Sequence, residues 1–436
     1  MTDEKPDSAT KQIRNGPLPL GLHVTSAAQN WAGAAASFPL FHLGGLQIHP
    51  DLKQTADDLH RDMAGLDMTG PDMTELNLAQ LQLMIMQKAQ SRLSDMLAGV
   101  TNYQHHPFQR KVAPADLFYK IGTTEIRDYG PTQKKGRADD APIVLVVPSL
   151  VNPAYILDLA EDHSFMRTLA DEGIHPYLVD WTKPGAEEKT FGLEPYILKR
   201  LIPVIRQIHQ HHNKKIHLLG YCMGGNLSLA AAQILQSENV LTGNILKSLT
   251  IIAAPWDFHV DQPAHMPGLT DCFLKIFLSG QHNAAFENFG SLNLLQLFFF
   301  SLDPTVSDRK FRKFSTQKIK EEQKRHFIAI EDWANDGVPL ARQVAKDCLL
   351  NWYQQNQPQN GCWQIGGHII DPKNNRLPGH IITPKSDRVV PPASAMALRK
   401  ELPDFTHTSA KGGHVTMMAG RQSSVTLWRK IASYIK

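Results

Sequence analysis

Residues 215–235 read KIHLLGYCMGGNLSLAAAQIL, and the fold follows from how that stretch divides. An apolar run, KIHLLGY, ends in Gly220-Tyr221-Cys222-Met223-Gly224-Gly225, and the small-residue run NLSLAAAQILQ begins at once. Strand, sharp turn and helix in that order make the nucleophile-elbow pattern G-x-S-x-G, with cysteine in place of serine. The glycines have a steric role. The turn is tight, its nucleophile takes a strained backbone conformation, and bulk at either glycine would collide with the neighbouring strand or helix. The helix N-terminus that follows favours negative charge and points amide donors at a developing oxyanion. Alone, G-x-C-x-G also describes a buried cysteine at a glycine-rich turn, so its flanks decide its meaning.

Those flanks repeat one texture. Upstream come the β-branched run after Pro142 (IVLVVP), the loop SLVNPAY, the helical ILDLAEDHSFMRTLADEG, the strand HPYLVDW ending at Trp181, and the helical PYILKRLIPVIRQIHQHH. Downstream comes the strand SLTIIAAP. Strands alternating with helices predict an α/β fold with a mostly parallel sheet. The strand signal pauses near Asp257 and resumes at HIITP (380–384). Residues 258–345 are therefore expected to form a cap inserted between core segments 116–257 and 346–436, since a structureless loop of that length is improbable. Residues 31–115 are expected to be a helical N-terminal region. Within it, Thr74 caps one long helix that ends before Gly99, and its Met-rich face is assigned to packing or a partner surface. Residues 1–30, polar and punctuated by Pro and Gly, are expected to be disordered. The apolar run LNLLQLFFFSL (292–302) is too short to span a bilayer and is expected in a core or over a cleft.

A thiol nucleophile needs a base, and the chain order of such sites is nucleophile, acid, histidine. HIITP runs into Lys385-Ser386-Asp387-Arg388, and AKGGH leads to His414 in a Gly-flanked loop. His414 would take the proton of Cys222 while Asp387 fixes its tautomer. Asp257, which also follows a strand, is the competing acid. The other histidines, including His105-His106 and His209/His211/His212, are expected to be helix or loop residues, and no metal is assigned.

Composition excludes several classes. The 45 basic and 42 acidic residues are mixed along the chain and leave a net charge of +3, which gives no electrostatic footprint for nucleic acid. Four cysteines without a CxxC pair give neither a disulfide framework nor a zinc ribbon, and read as thiols of a reducing compartment. There is no apolar segment behind the N-terminal charges and no transmembrane-length stretch, so the expected location is cytoplasmic.

Several blocks in order resemble the polyhydroxyalkanoate synthase family, the cysteine-nucleophile branch of the α/β-hydrolase superfamily. They are PSLVNPAYILDL (148–159), VDWTKP (179–184), HLLGYCMGGNLSLAA (217–231), WQIGGHIIDP (363–372), ITPKSDRVVPP (382–392) and GGHV (412–415). The resemblance implies an α/β-hydrolase fold, Cys222 as the acyl-carrying nucleophile, Asp387 and His414 as its partners, and the amides of Met223 and Val151 as oxyanion donors. It also implies an acyltransferase that polymerises (3-hydroxyacyl)-coenzyme A with no bound cofactor, the coenzyme A thioester being its substrate. The partners implied are that thioester or the polyester, with a homodimer and a polymer-granule surface compatible.

Two departures bear on function. The family's Trp-Asn-x-Asp element corresponds to Glu331-Asp332-Trp333-Ala334-Asn335-Asp336-Gly337, with the order shifted, and Arg388 stands where His commonly follows the acid. Trp333, Asn335 and Asp336 are expected to line the cleft, or otherwise to cap a helix start. Water in place of the acceptor hydroxyl would make the same machinery a thioesterase or an esterase acting on hydroxyalkanoate oligomers. A non-catalytic relative binding granules or partners is the third reading.

Overall fold

The computed structural model describes residues 13–48, 52–64, 74–130, 140–238, 245–262, 266–279 and 302–436. It divides into two compact units, the described residues of Met1–Phe108 with Pro304–Arg325, and those of Gln109–Asp303 with His326–Lys436.

The second unit carries an eight-stranded sheet. Its strands are β1 (Asp116–Ile121), β2 (Thr124–Asp128), β3 (Ile143–Val147), β4 (His175–Asp180), β5 (Ile216–Tyr221), β6 (Leu246–Ile252), β7 (Gly379–Pro384) and β8 (Thr406–Ala410). The order across the sheet is β1-β2-β4-β3-β5-β6-β7-β8. The β1–β2 hairpin runs antiparallel and β2 joins β4 antiparallel, whereas every pair from β4 to β8 is parallel. Strands β3 and β5 are buried along their whole length, which explains their unbroken apolar sequence. From β3 the chain crosses to β4 on one side, and from β5 to β6 on the other. The crevice beyond the carboxyl ends of β3 and β5 is thus the topological switch point, where parallel sheets bind ligands. The loop SLVNPAY follows β3 and Cys222 follows β5, so both open onto it.

Only part of ILDLAEDHSFMRTLADEG is helical. Helix Phe165–Asp171 starts late because Ser164 caps it, its Oγ accepting from the Arg167 amide at 3.0 Å. Before it the chain turns Asp158 inward, where it accepts from Arg167 Nε at 2.8 Å and from the Tyr129 hydroxyl at 3.0 Å.

The first unit is helical. Helix Leu20–His42 begins inside the stretch expected to be disordered; residues 1–12 lie outside the described residues. The sequence hides this helix because its buried positions include small alanines, Ala27 and Ala35, rather than a stripe of large apolar residues. Helix Thr74–Gln104 runs through Gly99 instead of stopping there. A Cβ at Gly99 would overlap the Phe311 carbonyl, so the glycine serves close approach of a second backbone and not helix termination. Met96, Val100 and Tyr103 form the buried side, while Leu83, Met84 and Met86 are exposed.

The segment expected as one cap, 258–345, divides. Helix Val306–Thr316 belongs to the helical unit, where Trp31 donates to Asp308 at 3.1 Å and Phe311 meets Tyr103 at 5.7 Å. Its amphipathic sequence shows that it buries a face but not which partner covers that face. Of LNLLQLFFFSL only Leu302 falls among the described residues, packed against Met266, Leu274 and Leu349.

Two histidines of the sheet unit predict a pH effect. His217 on β5 bonds Ser248 Oγ at 2.7 Å, and His163 bonds the Ala419 carbonyl at 3.1 Å. Burial first, then the Lys247 charge for His217 and His326 for His163, lowers each from 6.5 to about 4. On acidification the unfolded chain protonates these residues before the folded chain does, so stability is lost as pH falls from about 6.5 towards 4. The melting temperature is expected to drop over that interval, and His217→Gln is expected to flatten the fall.

Candidate active site

Cys222 sits at the turn between β5 and helix Met223–Glu238 with φ +57°, a left-handed conformation that costs a non-glycine residue on the order of 1 kcal/mol. Fixed hydrogen bonds hold it there. The Cys222 amide donates to the Ile252 carbonyl at 2.8 Å, and the Gly225 amide to the Cys222 carbonyl at 2.8 Å. A Cβ at Gly224 would overlap the Val147 carbonyl at the end of β3, and one at Gly220 would overlap Gly224. The glycines therefore let the elbow helix press against the strand ends, which brings the thiol to the switch point.

His414 Nδ1 lies 2.6 Å from Asp387 Oδ2, and Cys222 lies near enough to the ring to act on its charge. Asp387 is 5% exposed, and its second oxygen accepts from the amides of Val389 and Val390 at 2.8 and 2.9 Å. The carboxylate is thus locked by its own loop with one oxygen free for the imidazole. Burial alone would lower the His414 pKa. The Asp387 carboxylate, which accepts from Nδ1, and the neighbouring Cys222 outweigh it and hold the pKa well above that of an ordinary histidine. The competing acid, Asp257, is engaged elsewhere, accepting from Asn356 Nδ2 and the His259 amide, each at 2.9 Å.

Sequence reasoning missed Tyr221. Its hydroxyl donates to the His414 carbonyl at 3.0 Å, and the two rings stack with centroids 5.4 Å apart. The residue before the nucleophile thereby ties the elbow to the histidine loop. Its position in the motif was legible, its partner was not. Tyr353 was also missed. Burial first, then the charges of Cys222, Cys348 and Asp387, raises its hydroxyl above the usual tyrosine range and keeps it neutral.

The expected oxyanion donors are differently placed. Met223 is the first residue of the elbow helix, so its amide has no acceptor within that helix. The Val151 amide donates to Ser149 Oγ at 3.2 Å within its own loop.

A cavity of about 420 Å³ is lined by residues that include Asp257, Phe258, Leu302, Tyr353, Asp387 and Arg388. Cys222 is not among its lining residues, and neither are Trp333, Asn335 and Asp336. Those three are also not at a helix start. Trp333 and Asn335 close the C-terminal end of helix Glu321–Asn335 and Asp336 follows it; Trp333 Nε1 donates to the Pro153 carbonyl at 2.8 Å and Asn335 to the Glu331 carbonyl at 2.6 Å. Arg388 reaches Asp303 at 3.1 Å.

A profile of the alpha/beta hydrolase fold matches residues 142–420. The chain belongs to the α/β-hydrolase fold family. Within it, the resemblance to polyhydroxyalkanoate synthases holds. The chain is 29% identical over 283 residues to the poly(3-hydroxyalkanoate) polymerase subunit PhaC of Synechocystis, covering 63% of this chain and 72% of that protein. To PhaC of Allochromatium vinosum it is 26% identical over 310 residues, 70% of this chain and 83% of that one. To PhaC of Haloferax mediterranei it is 25% identical over 334 residues, 74% and 63% respectively. No helix among the described residues is long and apolar enough to cross a membrane.

The four thiols of this α/β-hydrolase-fold protein differ in a testable way. Cys222 is half-buried beside His414, Cys348 is buried, and Cys272 and Cys362 are exposed. Burial pushes the Cys348 thiol well up, which leaves it inert. Iodoacetamide is expected to modify Cys222 first and Cys348 last, read by peptide mass spectrometry. Equal rates at Cys222, Cys272 and Cys362 would mean that His414 does not activate the thiol.

Proposed function

We propose that the chain is an acyltransferase that forms polyester from (3-hydroxyacyl)-coenzyme A through a thioester on Cys222. The observation that carries this reading is the His414–Asp387 pair set beside Cys222 at a strained elbow on the switch point of the sheet. The similarity to the PhaC polymerase subunits supports the substrate class.

In the first half-reaction His414 takes the Cys222 proton and Sγ attacks the acyl carbonyl carbon. The amides of Met223 and Val151 receive the oxyanion, the latter exchanging Ser149 Oγ for it. Collapse breaks the bond to the coenzyme A sulfur, which leaves with the proton from His414. Thiolate displaces thiolate, so this step is nearly balanced in energy. In the second half-reaction His414 takes the proton of an incoming 3-hydroxyl group, whose oxygen attacks the acyl-Cys222 carbonyl. Collapse forms the ester and returns Cys222 with its proton. Asp387 holds the Nδ1 proton throughout, so that Nε2 faces the reacting atoms.

The test is to mix the protein with 3-hydroxybutyryl-coenzyme A, quench in acid and digest. A peptide containing Cys222 that carries the added hydroxyacyl mass is expected. Turnover with no acyl group on Cys222 at any quench time would overturn the covalent route.

A further inference from the structure

The loop Pro148–Pro153 connects β3 to the short helical turn Ala154–Leu157, with Val151 inside it. A loop of this kind has many backbone conformations. An amide within it serves an oxyanion only when held to about 0.5 Å by contacts from outside. The loop's own bond, from Val151 to Ser149 Oγ at 3.2 Å, is at the upper end of the usual range.

Two tryptophans supply the outside contacts. The Pro148 carbonyl accepts from Trp181 Nε1 at 3.0 Å, and the Pro153 carbonyl accepts from Trp333 Nε1 at 2.8 Å. The indoles are 4% and 8% exposed, respectively, so both bonds are shielded from competing water. Beyond Pro153, the Arg110 guanidinium lies over the Tyr155 ring at 4.6 Å. Arg110 is itself fixed by the Asp158 and Leu159 carbonyls at 2.7 and 3.0 Å. Trp181 and Trp333 thus grip the two ends of the loop that carries Val151.

We infer that Trp333 is a positioning residue that holds the Val151 amide where the acyl oxyanion forms. The inference rests on the acyl-transfer reading, and its test separates the two. Acylation of Cys222 places negative charge on a carbonyl oxygen. Alkylation by iodoacetamide does not, because Sγ displaces iodide at a saturated carbon. A misplaced Val151 amide therefore slows the first reaction and spares the second.

Trp333→Phe keeps a ring and loses the N–H that the Pro153 carbonyl accepts. The variant is expected to slow single-turnover acylation by 3-hydroxybutyryl-coenzyme A about 10- to 100-fold, below the cost of losing an oxyanion donor outright. KM and the Cys222 alkylation rate should stay within about twofold of wild type, a split that a general loosening of the fold would not produce. Equal losses in both reactions, or no loss in either, would overturn the inference. A rise in KM with unchanged acylation would return Trp333 to substrate binding. Absence of acyl-Cys222 in the wild type would instead sink the acyl-transfer reading, and this inference with it.

Discussion

Cys222→Ala is expected to remove thioester turnover by on the order of 10⁴-fold or more, because no other thiol has the geometry to replace it. Cys348 is buried with a raised pKa, and Cys272 and Cys362 are exposed. Loss of a covalent nucleophile typically costs as much as loss of the whole constellation, since the remaining partners then have nothing to activate. The fold should survive. Alanine meets the same left-handed φ that Cys222 accepts, and the two backbone bonds that hold the turn do not involve the side chain. The melting temperature is therefore expected to change by only a few degrees. Turnover unchanged in this variant would remove Cys222 from the chemistry.

Asp387→Asn is expected to slow turnover about 10³- to 10⁴-fold, as tautomer disruption does in related constellations. The amide presents an N–H where the carboxylate accepted from His414 Nδ1. It also removes the charge that holds the His414 pKa high, so the imidazolium should give up its proton at lower pH. The sign follows directly. A raised folded-state pKa contributes stability that is present below the unfolded value and lost as pH rises through the folded one. The variant is thus expected to lose more stability at pH 5 than at high pH. Asp257→Asn is expected to leave turnover nearly unchanged, because Asp257 bonds Asn356 and the His259 amide rather than His414. A larger loss at Asp257 than at Asp387 would transfer the acid's role.

What the sequence revealed depends on the range of the physics involved. The elbow is local: strand period, glycine pair and helix period lie within one stretch, and Cys222 follows from them. Asp387 and His414 were legible because each sits at a strand end in the expected chain order. Choosing Asp387 over Asp257 was legible only as a preference. Loop contacts such as Val389 and Val390 on one carboxylate, and Asn356 on the other, depend on where backbone amides turn. Tyr221 was visible as a residue of the motif, but its bond to the His414 carbonyl joins positions far apart in sequence. The same holds for Trp333, whose partner is Pro153. The family resemblance placed Trp333, Asn335 and Asp336 in a cleft or at a helix start, whereas the fold puts them at the C-terminal end of a helix. Gly99 misled for a related reason. A glycine within a helical pattern reads as a stop, yet here it admits the Phe311 backbone.

The most direct test of the central claim is product analysis. Purified protein is incubated with 3-hydroxybutyryl-coenzyme A, free coenzyme A thiol is followed, and the acyl products are weighed by mass spectrometry with Cys222→Ala as control. The account predicts thiol release that depends on Cys222 and yields ester-linked oligomer or polyester. Soluble 3-hydroxybutyrate as the sole product would make the protein a hydrolase, and release that persists in Cys222→Ala would contradict the account altogether.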